Sequence, residues 1–166
     1  MAVYVQLPNP PVPENAQKGY LFEKWVVSRF NTASYQLIEW RSDKSVGKVY
    51  PASSLKPDLV LSTKDPAAKV FFAIECKWRS AIKPSGWHWA TDNKRYNYER
   101  FAERYNMDVF IIAGVGGQPM SPEQVYIIPF EKICGQNFLT LKQLERYQRV
   151  DGKAMLEWDA EKRVLK

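Results

Sequence analysis

Residues 71–80, FFAIECKWRS, decide how we interpret the fold, because an apolar run takes on two opposite charges near its end. We predict a β-strand over residues 70–79, and the side chains of a strand alternate between the two faces of its sheet. Glu75 and Lys77 therefore project side by side from the face that also carries Ala73. The apolar residues on that face indicate that the charged pair is at least partly covered. In the alternative, the pair lies on the solvated face of an edge strand.

A second strand precedes this one, and the segment TKDPAAK between them has the composition of a turn. We predict that the earlier strand covers residues 58–62 and pairs antiparallel with residues 70–79. Antiparallel pairing brings the start of the first strand beside the end of the second, so that Asp58 lies close to Glu75 and Lys77. Two carboxylates and one ammonium group are therefore expected to converge at one end of a sheet.

Converging carboxylates repel one another, and burying them without a partner is unfavourable. A shared divalent cation compensates for both effects, and hard oxygen ligands favour Mg²⁺ or Mn²⁺. Such an ion lowers the pKa of a bound water and neutralises charge that develops on a phosphate oxygen. Lys77 would hold that water, help to deprotonate it, or stabilise the transition state. The three residues together indicate phosphodiester hydrolysis.

The dipeptide Pro57-Asp58, followed by Glu75-Cys76-Lys77, resembles the PD-(D/E)XK motif of the restriction-endonuclease-like nuclease superfamily. The resemblance implies a restriction-endonuclease-like fold and a DNA endonuclease that depends on Mg²⁺ or Mn²⁺. It also implies that Asp58, Glu75 and the main-chain carbonyl of Cys76 are the metal ligands. By the same resemblance, Lys77 is the catalytic lysine, and Asp58 and Glu75 are catalytic as well.

Glu23, in GYLFEKW on the first predicted helix, matches a glutamate that supports the metal site in many members of that superfamily. The resemblance therefore makes Glu23 a catalytic residue and a metal ligand, whereas taken alone it also fits an exposed helix position. The single histidine, His88, fits a packed or exposed loop imidazole and leaves a zinc-hydrolase cluster without a ligand set. Cys76 and Cys134 lack metal-ligand spacing and are expected to be thiols.

The remaining pattern predicts an α/β fold in one domain, with a mixed central sheet flanked by helices. A strand–helix–strand crossover joins residues 70–79 to the apolar run over 108–114 and makes these strands parallel neighbours. The proline-rich residues 1–15 are predicted to be an extended arm before the domain, which covers residues 16–166. The other predicted elements are a helix over 16–30 capped by Asn15, a strand over 34–41, a polar loop with Gly47, Pro51 and Pro57, a helix over 91–106 with Tyr98, Phe101, Ala102 and Tyr105 on its core face, a strand over 124–129, a helix near 139–149 and a short strand near 155–158.

The composition is that of a folded globular protein, since 45% of the 166 residues are hydrophobic and 25% are charged. The chain is long enough for one core and too short for two comfortable domains. No apolar stretch reaches membrane-spanning length, and the N-terminus MAVYVQLPNPPVPE lacks the basic and apolar regions of a signal peptide. We therefore expect a cytoplasmic protein with no membrane partner.

A net charge of +6 at pH 7 and a pI near 9.3 indicate an acidic partner such as nucleic acid. The segment after Lys77, WRSAIKPSGWHWATDNKRYNYER, mixes basic residues that neutralise phosphates with aromatic residues that stack on bases. The alternative is a solvated helix face beside a tryptophan-rich lid on the core. The predicted nucleic-acid-binding residues are Arg79, Lys83, Trp87, Lys94, Arg95 and Arg100, and Lys94 is the one expected to point into the site.

Two functions remain open from the sequence. A catalytically inactive nucleic-acid-binding or protein-interaction module of the same fold is the alternative to a metal-dependent nuclease. DNA is the expected partner, but the residues do not separate DNA from RNA, or duplex from branched or single-stranded substrates. A homodimer would place one site on each strand of a duplex, and the sequence leaves the oligomeric state open.

Overall fold

The computed structural model describes residues 13–41 and 55–166, and a five-stranded mixed sheet lies at its centre. The predicted arm over residues 1–15, apart from its last three residues, and the predicted polar loop with Gly47 and Pro51 lie outside the described residues. The elements in chain order are α1 (Glu14–Ser28), β1 (Tyr35–Trp40), β2 (Leu59–Thr63), β3 (Phe71–Arg79), β4 (Trp87–His88), α2 (Asp92–Tyr105), β5 (Asp108–Val115), β6 (Gln124–Pro129), a 3₁₀-helix (Phe130–Ile133), β7 (Phe138–Leu139), α3 (Leu141–Glu145), β8 (Trp158–Asp159) and β9 (Val164–Leu165).

The strand order of the central sheet is β1-β2-β3-β5-β6, so β3 lies in the middle. β3 pairs antiparallel with β2 and parallel with β5, while β5 and β6 are antiparallel. The parallel pair is joined through α2, as a parallel connection requires a crossover. The predicted hairpin, the parallel neighbours and the mixed sheet are therefore confirmed.

Each face of the sheet is covered by one long helix and has its own apolar core. On the α1 side, Phe22, Trp25 and Val26 of the helix pack on residues such as Leu59 and Ile74. On the α2 side, the core contains two helix residues, Tyr98 and Phe101, together with Val60, Ala73 and Ile111. Burial of each large side chain contributes about 1.5–3 kcal/mol, so the two cores hold β3 firmly from both sides. No helix of the described part of the chain has the length and apolar character needed to cross a membrane.

The helix ends differ from those that the sequence predicts. Asn15 is not the cap of α1, because the helix begins at Glu14 and Pro13 occupies the N-cap position without a side-chain hydrogen bond. The helix therefore includes Glu14 and Asn15, which the prediction assigned to the arm. In α2, Thr91 caps the helix by accepting a hydrogen bond from the backbone N–H of Lys94. Tyr105 does not belong to the buried stripe of α2, since 45% of its side chain is exposed.

The C-terminal third departs furthest from the prediction. The helix expected near residues 139–149 is only α3, because Leu139 instead pairs with Trp87 in the two-stranded β4–β7 sheet. The short strand expected near residues 155–158 is β8, which begins only at Trp158 and pairs with β9. Strands of two residues have no periodicity of their own, so long-range pairing alone decides where they form.

Candidate functional site

The β2–β3 hairpin brings Asp58 and Glu75 together at one end of the pair. Leu59 pairs with Ile74, which places the preceding Asp58 beside the following Glu75. The Asp58 Oδ2 atom accepts a hydrogen bond of 2.8 Å from the backbone N–H of Cys76. Both carboxylates are buried, with exposed fractions of 8% for Asp58 and 3% for Glu75. The alternative of a solvated edge-strand face is therefore wrong.

Lys77 is held against Glu75 within the α2 side of the sheet. Its Nζ atom donates a hydrogen bond of 2.5 Å to Glu75 Oε1, and only 12% of the lysine side chain is exposed. Burial alone would lower the pKa of Lys77, but the carboxylates of Glu75 and Asp58 outweigh it, so the pKa is raised. Lys77 therefore carries a positive charge at neutral pH and is suited to stabilising negative charge rather than to accepting a proton.

Asp58 lies in an environment that disfavours its charged form. Burial raises its pKa well above the ordinary value, and the charges of Glu75 and Glu23 raise it further. Lys77 and the N–H of Cys76 oppose this shift without cancelling it. Two other carboxyl groups and one ammonium group thus act on Asp58, and the cluster has a deficit of positive charge that a cation would fill.

Glu23 approaches the cluster from α1, on the opposite side of the sheet from Glu75. It is buried, with 6% of its side chain exposed, and its Oε2 atom accepts a hydrogen bond of 2.6 Å from the indole N–H of Trp40. Its charge contributes to the raised pKa values of both Asp58 and Cys76. The alternative of an exposed helix position for Glu23 is therefore wrong, whereas its role as a catalytic residue and metal ligand stays a prediction.

The donor atoms at the hairpin fit a hard divalent cation. Glu75 Oε2 is buried and has no hydrogen-bond partner, so one carboxylate oxygen is left for a ligand. Over residues 13–41 and 55–166, no three side chains of His, Cys, Asp or Glu are grouped so that they could hold one ion. The buried carboxylates of Asp58 and Glu75 are the side-chain donors at this end of the hairpin, and ligation of a cation by them and by the main-chain carbonyl of Cys76 stays a prediction. Water and phosphate oxygens usually complete such a shell around Mg²⁺.

Arg41 is a residue of the site that the sequence analysis missed. Its guanidinium donates a hydrogen bond of 2.8 Å to the carbonyl oxygen of Pro57, and its backbone N–H donates one of 2.7 Å to the carbonyl oxygen of Asp58. The same guanidinium lies 5.7 Å from the ring centroid of Phe101 on α2. Arg41 thus fixes the backbone that carries Asp58. No local sequence pattern predicts this role, because it depends on the pairing of β1 with β2.

The predicted nucleic-acid-binding residues other than Trp87 fall into two groups. Arg79, Lys83 and Arg100 are exposed, and Arg79 is close enough to Lys77 to act on its pKa. Lys94 and Arg95 are half-buried on α2. Arg95 is already engaged, because it donates hydrogen bonds to Glu99 and to Asn137.

Trp87 is a wrong prediction as a nucleic-acid contact. It is 5% exposed and belongs to the core on the α2 side, where β4 pairs with β7. A ring in that position has no free face on which a base could stack. The alternative of a tryptophan-rich lid on the core holds for Trp87 and for Trp89, which is 2% exposed.

Comparison with known proteins supports the fold independently of the motif. No protein-family model matches the chain, and no curated protein matches its sequence. Among solved structures, the chain is similar to Hjc of Archaeoglobus fulgidus, a Holliday junction resolvase from an archaeal hyperthermophile. The TM-score is 0.53 at 17% sequence identity, and the match covers 77% of this chain and 93% of the resolvase chain. A likeness at this level of identity concerns the fold.

Proposed function

The chain has the restriction-endonuclease-like fold of the PD-(D/E)XK nuclease superfamily, and from this premise we propose that it hydrolyses phosphodiester bonds in DNA with Mg²⁺ or Mn²⁺. The observation that carries the proposal is the buried cluster of Asp58, Glu75 and Lys77, in which Glu75 keeps one oxygen without a partner. Burial of such a cluster is costly for a domain that needs it only for structure. A role in phosphodiester hydrolysis would explain why the domain contains this cluster despite its cost in stability.

Each residue of the cluster would have its own role in phosphodiester hydrolysis. Asp58, Glu75 and the carbonyl oxygen of Cys76 would hold the cation, with Glu23 adding negative charge from α1. A bound divalent cation supplies an activated water and neutralises charge on the phosphate. Lys77, fixed by its hydrogen bond of 2.5 Å to Glu75, directs a permanent positive charge at the position where the scissile phosphate becomes more negative.

Exposed basic residues next to the cluster would bind the flanking phosphates. Arg79 ends β3 two residues after Lys77, and Lys83 follows in the next loop. Both are exposed, so their charges remain available to a polyanion. The net charge of +6 brings DNA toward the molecule as a whole. Because the similar structure is that of a Holliday junction resolvase, four-way junctions belong among the substrates to be tested.

The direct test is cleavage of DNA by the purified chain with Mg²⁺, with Mn²⁺ and with EDTA. Plasmid, single-stranded, duplex and four-way-junction DNA are compared, using wild type, Glu75→Gln, Asp58→Asn and Lys77→Met. We expect cation-dependent cleavage that falls by at least about 100-fold in each variant, as loss of preorganised charge at a site typically does. Glu131→Gln is the matched control, because Glu131 is exposed in the 3₁₀-helix beyond the far end of β6.

Cleavage by Glu75→Gln at the wild-type rate would show that the assignment of the site is wrong. Calorimetric titration with Mn²⁺ separates binding from turnover, since wild type should bind the ion and Glu75→Ala should lose that heat. Light scattering during the same work measures whether the chain is a monomer or the homodimer that cutting both strands of a duplex favours.

A catalytically inactive binding module of the same fold is the second candidate. The observation that favours it is the Lys77–Glu75 ion pair, in which the lysine is already bound by a carboxylate. This candidate predicts salt-dependent DNA binding with no cleavage in any cation. It also predicts that Asp58→Asn leaves binding unchanged in metal-free buffer.

A further inference from the structure

An aromatic stack lies beside the carboxylate cluster. The ring of Tyr20 on α1 stacks on the indole of Trp40 at the end of β1, with 5.4 Å between ring centroids and 15° between the planes. Trp40 donates its indole N–H to Glu23, and the charge of Glu23 acts on Asp58. The stack of Tyr20 and Trp40 is therefore tied, through one hydrogen bond, to the residues of the proposed nuclease site.

The stack presents an aromatic ring to solvent. One face of Tyr20 is covered by Trp40, yet 41% of the tyrosine side chain is exposed. Trp40 itself is half-buried and is held both by Glu23 and by the pairing of β1 with β2. Tyr20 is thus oriented before any ligand arrives, which lowers the entropic cost of stacking a further ring on it.

An exposed aromatic ring can stack on the bases of a nucleic acid. Every nucleobase has a π-face, and base–aromatic stacking is sequence-tolerant. Bases inside an intact duplex are already stacked on both faces, so only an unpaired or splayed base offers a face to a protein ring. The stack reaches the carboxylate cluster through the hydrogen bond from Trp40 to Glu23, and this connection is the reason to expect such a base near the bond that would be cut.

We propose that Tyr20 stacks on an unpaired nucleobase next to the scissile phosphodiester, so that the site takes DNA with a single-stranded or splayed segment in preference to a continuous duplex. This inference deepens the proposed function and rests on it for the identity of the site. Its own content is a binding preference, which is measured without any cleavage.

Tyr96 provides a matched control on the same protein. It is 54% exposed on α2, and the guanidinium of Arg100 lies 5.8 Å from its ring centroid. It is therefore an exposed tyrosine with a basic neighbour. None of the contacts found among the described residues ties Tyr96 to Glu23, Asp58 or Glu75, so the proposal assigns it no unpaired base.

The test uses oligonucleotides that carry 2-aminopurine in a single-stranded stretch, a fully paired duplex of the same sequence, and EDTA to prevent cleavage. Wild type should quench the fluorescence of the unpaired 2-aminopurine. Tyr20→Leu should lose the quench and bind the single-stranded DNA about 5- to 150-fold more weakly, the range that alanine substitution of stacking residues gives. Tyr20→Phe should behave as wild type, and Tyr96→Leu should change neither property.

Several results would overturn the inference. These are unchanged single-strand affinity in Tyr20→Leu, an equal loss of affinity for the duplex, an equal loss in Tyr96→Leu, and no quench by wild type. If Tyr20→Leu proves unstable by circular dichroism, the wild-type quench of the unpaired base still tests the inference, because its absence would overturn it.

The failure of this inference differs from the failure of the proposed function. If wild type cuts DNA but Tyr20→Leu binds and cuts single-stranded DNA normally, the inference alone is wrong. If wild type quenches through Tyr20 but cuts nothing with Mg²⁺ or Mn²⁺, the inference holds and the nuclease proposal is wrong. If wild type binds no DNA at all, both are wrong.

Discussion

Three ionisable side chains of the site are buried, although their charged forms are more stable in water. Asp58 and Glu75 are nearly excluded from solvent, and Lys77 is the one cation paired with them among the described side chains. The sequence predicts their convergence, because alternation along β3 and antiparallel pairing with β2 follow from apolar pattern and turn composition. It could not predict that Glu75 keeps one oxygen unpaired, since that depends on what surrounds the carboxylate in three dimensions.

The environments of Trp87, which the sequence assigned to nucleic-acid binding, and of Arg41, which it did not single out, depend on long-range strand pairing. A tryptophan in a basic loop fits base stacking, yet the pairing of Trp87 with Leu139 buries its ring. Arg41 directly follows β1, a strand that the sequence predicts, but its hydrogen bond to the Pro57 carbonyl needs β1 beside β2. Local patterns contain neither piece of information.

The raised pKa of Asp58 predicts how stability depends on pH in metal-free buffer. The unfolded chain releases this proton near the ordinary value of 3.8, whereas the folded chain retains it to higher pH. Between the two pKa values the folded state binds more protons, so the free energy of unfolding falls as pH rises. We expect urea unfolding of wild type to lose more stability from about pH 4 to about pH 8 than that of Asp58→Asn.

Asp65→Asn is the control for this pH series, because Asp65 is exposed in the turn between β2 and β3. That variant should follow the wild-type pH dependence. Identical slopes for wild type and Asp58→Asn would mean that burial of Asp58 does not disfavour its ionised form. Addition of Mn²⁺ at the higher pH should restore part of the stability of wild type alone, since an ion that binds the folded state shifts the equilibrium toward it.

Elements with strong periodicity could be predicted from the sequence, and weakly patterned ones could not. The stripe of Tyr98 and Phe101 indicates α2, and the apolar run of β5 indicates a strand buried on both faces. β4, β7, β8 and β9 have two residues each, too few for any period to be recognised. The N-terminal boundary of α1 was misplaced because no cap side chain marks it.

Close packing of α1 on β5 gives a prediction at this scale. A Cβ atom added at Gly114 of β5 would lie 2.5 Å from Cε2 of Phe22, a core residue of α1 that is 0% exposed. Gly114→Ala therefore forces the helix and the strand apart. We expect a loss of about 1–3 kcal/mol in the free energy of unfolding, measured by urea denaturation.

Gly19→Ala, in the interior of α1, is the matched substitution. A Cβ at Gly19 would meet no atom within 4 Å. Alanine has the higher helix propensity, so this variant should gain about 0.5–1 kcal/mol. If Gly114→Ala were as stable as wild type, the helix would have to sit further from β5 than the structure places it.

The proposed site and the 3₁₀-helix lie at opposite ends of the central sheet. Arg79 ends β3 and pairs with Val115 at the end of the parallel β5, and Glu75 lies on the same side of the last β2–β3 pair, Leu59 with Ile74. β6 runs back antiparallel, so Lys132 in the following 3₁₀-helix belongs to the opposite end of the sheet. The fold was predictable as a whole from motif and element order, whereas the C-terminal third, whose elements are short, was not.

The location of the proposed site at one end of the sheet predicts which basic residues make DNA binding depend on salt. If Arg79 and Lys83 each contact a phosphate, the logarithm of the affinity should fall linearly with the logarithm of the salt concentration. Arg79→Gln and Lys83→Gln should each reduce the magnitude of that slope by about 1 for duplex DNA. Fluorescence anisotropy in EDTA over a salt series measures it.

Lys132→Gln removes the same charge from the opposite end of the sheet and should leave the salt slope unchanged. A reduced slope in Lys132→Gln, or an unchanged slope in both Arg79→Gln and Lys83→Gln, would place the DNA on another surface. Each variant lowers the net charge equally, so the comparison separates local contact from long-range attraction.

The buried cluster also limits how the chain can evolve. Well-packed apolar residues in place of a buried ionic group often leave a protein equally stable or more stable. Replacement of Asp58, Glu75 and Lys77 together by apolar residues of similar size would therefore give a domain that is at least as stable but lacks the proposed site. Selection for thermal stability alone would favour that route, and under the proposed function selection for nuclease activity would oppose it.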